Sequence, residues 1–267
     1  MQVFHPSQAP NGLSPENYFL VADAAGQVAG EGYLIPTYHP YLFPDRPVNI
    51  FMNLRTSGHG QDMLMGALLA RAQQIREQYP QHPARLFTQL SPQNTTLQAF
   101  YAENGFDESD GLDVVRLNMP DARAAAPMGY DMGFVPLTNT AEFSGFLSRM
   151  NSYRLNAWNA QLLKKYMSYP HFFALYLSRG GVIAGEAAFT GEGRAAKLIG
   201  LYVDPRFRQK GLAKCLIATG IKDLTAKGVV AVDADCIRRN ELQCALAASC
   251  QATFVRTACL YPGLNYD

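Results

Sequence analysis

Cysteine is missing from the first 214 residues of this 267-residue chain, and all five (Cys215, Cys236, Cys244, Cys250 and Cys259) fall in the remainder. None stands in a CxxC pair or at a zinc-type Cys/His spacing, so neither a disulfide framework nor a metal site is expected. Cys250 has no basic neighbour in sequence that would activate a thiol nucleophile, and a buried, inert cysteine is the better reading. An excess of charge of one sign is also missing. With 23 basic against 22 acidic residues the net charge is +1, which argues against a nucleic acid or a membrane surface held mainly by charge. No charged n-region with an apolar stretch opens the chain, and no apolar run approaches the ~18 residues needed to span a bilayer. The expectation is a soluble, cytoplasmic protein with no nucleic-acid or membrane partner and no metal.

What the chain does contain is a short pattern that occurs twice. Arg55-Thr56-Ser57-Gly58-His59-Gly60 and Arg208-Gln209-Lys210-Gly211-Leu212-Ala213 keep a constant spacing of 153 residues, from 55 to 208 and from 58 to 211. Each follows an extended apolar segment, 47–52 or 198–203, and opens a long helical run. At a helix start the first backbone N–H groups lack partners and the macrodipole presents partial positive charge, so a pyrophosphate there satisfies orphan donors. Glycine at 58, 60 and 211 is expected because a Cβ would hinder ligand approach and forbid unusual backbone angles. Arg55, Arg208 and Lys210 would add charge at the rim or brace the loop.

The repeat extends beyond these loops. Val28-Ala29-Gly30-Glu31-Gly32 reappears as Ile183-Ala184-Gly185-Glu186-Ala187, each within a hairpin pattern, 18–23 with 27–35 and 172–178 with 182–189. Amphipathic helices are expected over 61–78 and 212–227. Strands follow at 84–89 and 229–234, and further helices at 95–103 and 241–250. Residues 119–130 combine proline, small residues and no periodicity, as a linker would. The expected division is therefore 1–120, a linker at 121–130, and 131–267. The copies differ at their starts: residues 134–169 have helical character, whereas 1–17 do not, so the first copy is expected to lack that helical layer.

The order hairpin, strand, Arg-x-x-Gly-x-Gly/Ala, helix, strand, helix resembles the GNAT superfamily of acyl-CoA N-acyltransferases. Residues 201–213 look like the family's strand, pyrophosphate-loop and helix signature. Asn94, Phe100, Tyr101, Gly105 and Phe106 fit its later helix. In the second copy Asn240 takes the asparagine place, but Ala247 stands where the tyrosine belongs. The tandem arrangement is similar to mycothiol synthase-type double-GNAT proteins. The resemblance implies an α/β (α+β) fold of two tandem domains, each a mixed, mostly antiparallel sheet flanked by helices, with a splayed central parallel strand pair.

It also implies acetyl-CoA as co-substrate and a small-molecule primary amine as acceptor, with direct attack of the amine on the thioester. A homodimer is compatible with it. The cofactor-binding set is Leu201, Tyr202, Val203, Arg208, Gln209, Lys210, Gly211, Leu212, Ala213 and Asn240, with Arg55, Gly58, Gly60 and Asn94 in the first copy. The pantetheine arm would pair with the edge of 201–203 as an added strand does, and backbone N–H groups would stabilise the oxyanion. An ammonium of pKa ~10.4 must shed its proton near pH 7, at a cost of roughly 4.6 kcal/mol. Glu186 is the candidate base, against its reading as a solvent-facing strand carboxylate, and Glu31 is its counterpart. Asp204 suits turn chemistry better. Tyr101 is the implied acid for thiolate departure, or else a packing residue whose hydroxyl reaches the rim. Tyr202 and Tyr261 are substitutes for it in the second copy. A non-catalytic acyl-CoA-binding or assembly module is the competing function.

Overall fold

The computed structural model describes residues 1–57, 60–118 and 126–267. In chain order its elements are β1 (Gln2–Phe4), β2 (Tyr18–Ala22), β3 (Val28–Tyr38), β4 (Val48–Thr56), α1 (Gln61–Glu77), β5 (Ala84–Phe87), α2 (Thr95–Glu103) and β6 (Gly111–Arg116). Then come β7 (Asp131–Phe134), α3 (Thr140–Asn151), α4 (Ala160–Met167), β8 (Phe173–Arg179), β9 (Val182–Glu192), β10 (Ala195–Val203), α5 (Leu212–Ala226), β11 (Ala231–Ile237), α6 (Glu241–Ser249), β12 (Thr253–Leu260) and β13 (Gly263–Tyr266). Part of the segment expected to be a linker, 121–125, lies outside the described residues.

Each of two sheets has one parallel pair at its centre, and in each that pair comes apart. In the six-stranded sheet, ordered β1-β2-β3-β4-β5-β13, β4 runs parallel to β5 from Val48–Ala84 to Phe51–Phe87. Beyond that point β4 continues to Thr56 against β3. In the seven-stranded sheet, ordered β12-β6-β11-β10-β9-β8-β7, β10 pairs with β11 from Ala195–Ala231 to Leu198–Ala234. Past Leu198 the register shifts and Leu201, Tyr202 and Val203 pair with β9.

The compact units do not follow a cut at 120. One comprises Met1–Gly111 with Cys259–Asp267, the other Leu112–Ala258. Strand β6, which by its place in the chain would close the first sheet, pairs antiparallel with β11 in the second. The tail strand β13 closes the first sheet against β5. One set of charge-assisted hydrogen bonds and one ion pair hold the exchanged strands. Arg85 on β5, only 3 % exposed, donates to Asn265 Oδ1 at 2.8 Å and to the Tyr261 carbonyl at 3.2 Å, both on the tail. Asp113 on β6 accepts two hydrogen bonds from Arg238, at 2.8 and 2.9 Å, and one from Thr257 at 2.9 Å. Gly263 allows the close approach, because a Cβ there would lie 2.6 Å from the Leu86 carbonyl oxygen.

In the first unit α1 lays Leu64, Leu68, Ala72 and Ile75, one face at helical spacing, on Val21, Leu34, Ile50 and Met52 of the sheet. Each such side chain contributes roughly 1.5–3 kcal/mol by leaving water. In the second unit α5 does the same with Leu212, Cys215, Leu216 and Leu224. Its mid-helix Gly220 faces Phe189, which occupies the space a Cβ would need. The opposite faces of the two sheets differ. In the second, Ala174, Ala188 and Gly200 stand side by side across β8, β9 and β10. That row of small residues seats α3 and the chain after it: a Cβ on Gly200 would meet Met150 Sδ at 2.7 Å and the Trp158 ring at 2.9 Å. Counting from Glu31 as from Glu186, the matching row in the first unit is Tyr18, Tyr33 and Asn53. Side chains fill the space where the second unit has a helical layer, and no α-helix precedes β2 among the described residues.

Truncation after Ala258 should take away β13 and the neutral tail acceptors of Arg85, a loss of about 1.5–3 kcal/mol for each hydrogen bond to the charged guanidinium. Hydrogen exchange is expected to accelerate throughout β4 and β5. Unchanged protection of these strands would show that β13 does not hold the first sheet together.

Candidate active site

Between β10 and α5 the chain makes an eight-residue loop, 204–211, containing one 3-10 turn, Pro205–Phe207. Asp204 starts it by accepting from the Arg206 amide at 2.9 Å and pairing with the Arg206 guanidinium at 2.8–3.0 Å. Those bonds hold its carboxyl below the ordinary value. Arg208 Nε donates to the Val203 carbonyl at 3.3 Å, and Lys210 Nζ to that of Arg206 at 3.4 Å, so both side chains brace the loop. Gln209 (φ 61°) and Gly211 (φ 77°) adopt left-handed backbone. An added Cβ on Gly211 would meet nothing within 4 Å, so glycine is needed there for its dihedral angle, and the space before the helix is open.

Helix capping separates two helices from the rest. Asn94, Asn139, Asn159 and Asn240 cap α2, α3, α4 and α6, each accepting a hydrogen bond from the third residue on. Asn94 and Asn240, expected at the cofactor, thus have side chains engaged in capping. Helices α1 and α5 start from left-handed Gly60 and Gly211 with no side-chain cap. The amides of Leu212, Ala213 and Lys214 precede the first helical bond, from Cys215 N to the Gly211 carbonyl. Leu212 is buried in the core, so only its backbone is available.

The first unit's loop is half as long, 57–60, and Gly58 and His59 lie outside the described residues. A Cβ on Gly60 would meet Val21 Cγ2 at 2.8 Å. Arg55 is not in this loop. It lies in β4 opposite Glu31, 3.9 Å from its carboxylate, with 71 % of its side chain exposed. The 153-residue spacing ignores the difference in loop length; the cap glycines Gly60 and Gly211 are the equivalent positions.

Glu186 is not solvent-facing. Its side chain is 1 % exposed and both oxygens accept from Arg149, Nε and Nη2, at 2.7 Å. Burial pushes the Glu186 carboxyl up and Arg149 pulls it back only in part, while the same bonds hold Arg149 above its ordinary value. Bonded to Arg149 at both oxygens and 1 % exposed, the carboxylate keeps its remaining lone pairs away from solvent and from an incoming ammonium, which weighs against Glu186 as a direct base. Tyr202, opposite Glu186 in β10, stacks on Tyr153 at 5.9 Å, and the Arg208 guanidinium lies 4.6 Å over the Tyr153 ring. Arg154 donates to the Ile199 carbonyl at 2.7 Å and lies 4.3 Å over Trp158. Burial raises the Tyr202 hydroxyl, so it stays protonated at neutral pH.

Tyr101 is 2 % exposed within the first unit's core, and burial raises its hydroxyl despite a bond with Thr88. Tyr261 belongs to the first unit and is no substitute in the second. In the first unit Glu31 accepts from Tyr18, whose hydroxyl is pushed up to about 12, chiefly by that bond. Cys250 is buried, and burial raises its thiol. Among the described residues no group of three or more His, Cys, Asp or Glu could hold a metal ion, and no helix is long and apolar enough to cross a membrane. Arg149 and Arg154 had no motif in the sequence to mark them; Arg149 lies 37 residues before its partner.

Residues 140–250 match the model of the Acetyltransferase (GNAT) family. A GCN5-related N-acetyltransferase from Sphaerobacter thermophilus is similar with TM-score 0.52 and 12 % identity, over 96 % of this chain and 82 % of that one. A probable N-acyltransferase from Enterococcus faecalis gives TM-score 0.54 and 10 % identity, over 92 % and 61 %. A GCN5-related N-acetyltransferase from Anabaena variabilis gives 0.53 and 13 %, over 94 % and 63 %. No curated protein matches the chain by sequence. Residues 140–250 thus carry a sequence match to the GNAT acetyltransferase family, and the likeness of the whole chain to these solved structures is one of fold.

Replacing Arg149 with Met strips the buried carboxylate of its partner, so the folded-state pKa of Glu186 rises further. A carboxyl whose folded value exceeds its unfolded one binds its proton more tightly when folded. The variant's deficit relative to the native chain should therefore be small up to the native folded value, itself above the ordinary carboxylate range, and open as pH rises from there through the variant's higher folded value. About 3 kcal/mol is expected at pH 7.5, the lower end for a broken buried pair because Arg149 is 31 % exposed. Arg149→Met/Glu186→Gln should recover most of it. Urea unfolding at pH 4.5 and 7.5 checks this, and a deficit independent of pH would contradict it.

Proposed function

We propose that this protein is an acetyl-CoA-dependent N-acetyltransferase that transfers the acetyl group to a primary amine of a small molecule, working in the cytoplasm, with the second unit as its acyl-CoA site. The observation that carries this reading is the conjunction of a splayed β10 edge with the uncapped, left-handed start of α5. The free edge at 201–203 suits the amide groups of a pantetheine arm, and the amides of Leu212, Ala213 and Lys214 suit the pyrophosphate. Room at Gly211 fits that ligand. Arg208, Gln209 and Lys210 shape the loop, while Asn240 holds α6.

The acyl donor supplies an activated carbonyl. The uncharged amine nitrogen forms the new C–N bond, the C–S bond breaks, the departing sulfur takes a proton, and the proton that the nitrogen sheds on becoming an amide restores the donor. Tyr202 lies on this stretch of β10 with its hydroxyl protonated and is assigned as that donor. Because Glu186 is held by Arg149, we assign removal of the ammonium proton to solvent at the cleft mouth, with Glu186 fixing Arg149. The guanidinium groups of Arg154 and Arg208, neither of them in an ion pair among the described residues as Arg149 is with Glu186, disfavour the ammonium and so lower its pKa, which eases this step.

The second reading, an acyl-CoA-binding module without turnover, draws on Glu186 being engaged and on Ala247 in place of a tyrosine. Calorimetry and a thiol-release assay separate the two. Acetyl-CoA should bind the intact chain, and Gly211→Glu should weaken binding by about 100-fold, or ~2.7 kcal/mol, through charge repulsion at the loop. Binding with no CoA release for any amine favours the module. Undiminished binding in a folded Gly211→Glu variant would remove the second unit as the site.

A further inference from the structure

The charge of the second unit's cleft wall restricts the acceptor beyond "an amine". Three guanidinium groups lie on the face of the sheet that carries Glu186 and Tyr202: Arg149 from α3, its charge balanced by Glu186, Arg154 from the chain after α3, bonded to the Ile199 carbonyl, and Arg208 from the loop before α5, over the Tyr153 ring. The carboxylates near them are already engaged. Glu186 is bound at both oxygens by Arg149, Asp204 is paired with Arg206 at 2.8 Å, and Asp235 with Lys197 at 2.7 Å. A di- or polycationic amine needs free carboxylates, and this wall offers none among these three.

Arg149 is the group presented to a ligand. Its Nε and Nη2 are used by Glu186, so the guanidinium plane is fixed, while Nη1 is not part of that bond pair and the side chain is 31 % exposed. A buried carboxylate behind this partly exposed side chain fixes the guanidinium plane and with it the direction of the Nη1 hydrogens beside Gly145, as a donor prepared for an oxyanion requires. Tyr202 and Tyr153, stacked at 5.9 Å, flank the same side of the sheet.

Resting on the acetyltransferase reading, we propose that the acceptor carries an anionic oxygen group, a carboxylate or a phosphate, beside its amine, and that Arg149 held by Glu186 receives that group. The anion supplies binding at a wall that repels an ammonium, and the amine is delivered to the thioester in its uncharged form. Glu186 is then a positioning residue, acting through Arg149.

Matched acceptors test this on the full chain with acetyl-CoA: 4-aminobutyrate against butylamine, glycine against glycinamide, and phosphoethanolamine against ethanolamine. The anionic member of at least one carboxylate or phosphate pair should have a kcat/KM at least about 10-fold higher, and which pair responds distinguishes the two anions. Arg149→Lys should raise KM for that acceptor about 10-fold with a far smaller change in kcat. Should that variant fold poorly, Arg149→Gln/Glu186→Gln, which leaves no buried charge, should lose the discrimination between pair members. Equal or better use of the neutral members, or a variant effect confined to kcat, overturns the proposal. If no amine is acetylated, saturation-transfer NMR with CoA present decides: binding of anionic but not neutral members supports it, and binding of neither overturns it. Failure of the acetyltransferase reading registers separately, as absent acetyl-CoA binding.

Discussion

Interrupted pairing between two parallel strands is the constraint on which the second unit depends. Up to Leu198 and Ala234, β10 and β11 share a ladder; beyond them β10 pairs with β9, and its Ile199 and Val203 carbonyls accept from Arg154 and Arg208. Backbone groups freed in this way require partners, and the open edge lies just before a loop that turns through two left-handed residues into an uncapped helix. Edge and helix start together present donors and acceptors in an order that a long, amide-bearing, diphosphate ligand would match. Neither feature alone would distinguish a ligand site from ordinary irregularity.

The two units use the same strand break differently. In the second, small residues at Ala174, Ala188 and Gly200 let α3 and the following chain pack on the sheet, which brings Arg149 onto Glu186. In the first, Tyr18, Tyr33 and Asn53 occupy the corresponding row, Glu31 accepts from Tyr18, and the loop before α1 is four residues shorter. A duplicated pattern has thus diverged into one sheet with a helical wall and one filled by its own side chains.

Local patterns were readable in the sequence, and long-range partners were not. The hairpins, the helices at 61–77 and 212–226, and the turn chemistry of Asp204 follow from periodicity and from residues a few places apart. Strands β6 and β13 are short and similar in pattern, and the sheets they join are set by contacts of Arg85 and Asp113 with residues more than a hundred positions away. Arg55 was misplaced because motif spacing counts residues without regard to where a strand ends. Glu186 sits on its strand as expected, but the side chain that holds it comes from a helix with no motif to announce it.

A crystal structure of the full chain grown with coenzyme A would test the central claim most directly. The account predicts pyrophosphate oxygens within hydrogen-bond distance of the Leu212, Ala213 and Lys214 amides, and pantetheine amides paired to the free edge of β10. Density for the nucleotide at the start of α1 instead, or none at α5 under saturating ligand, would contradict it.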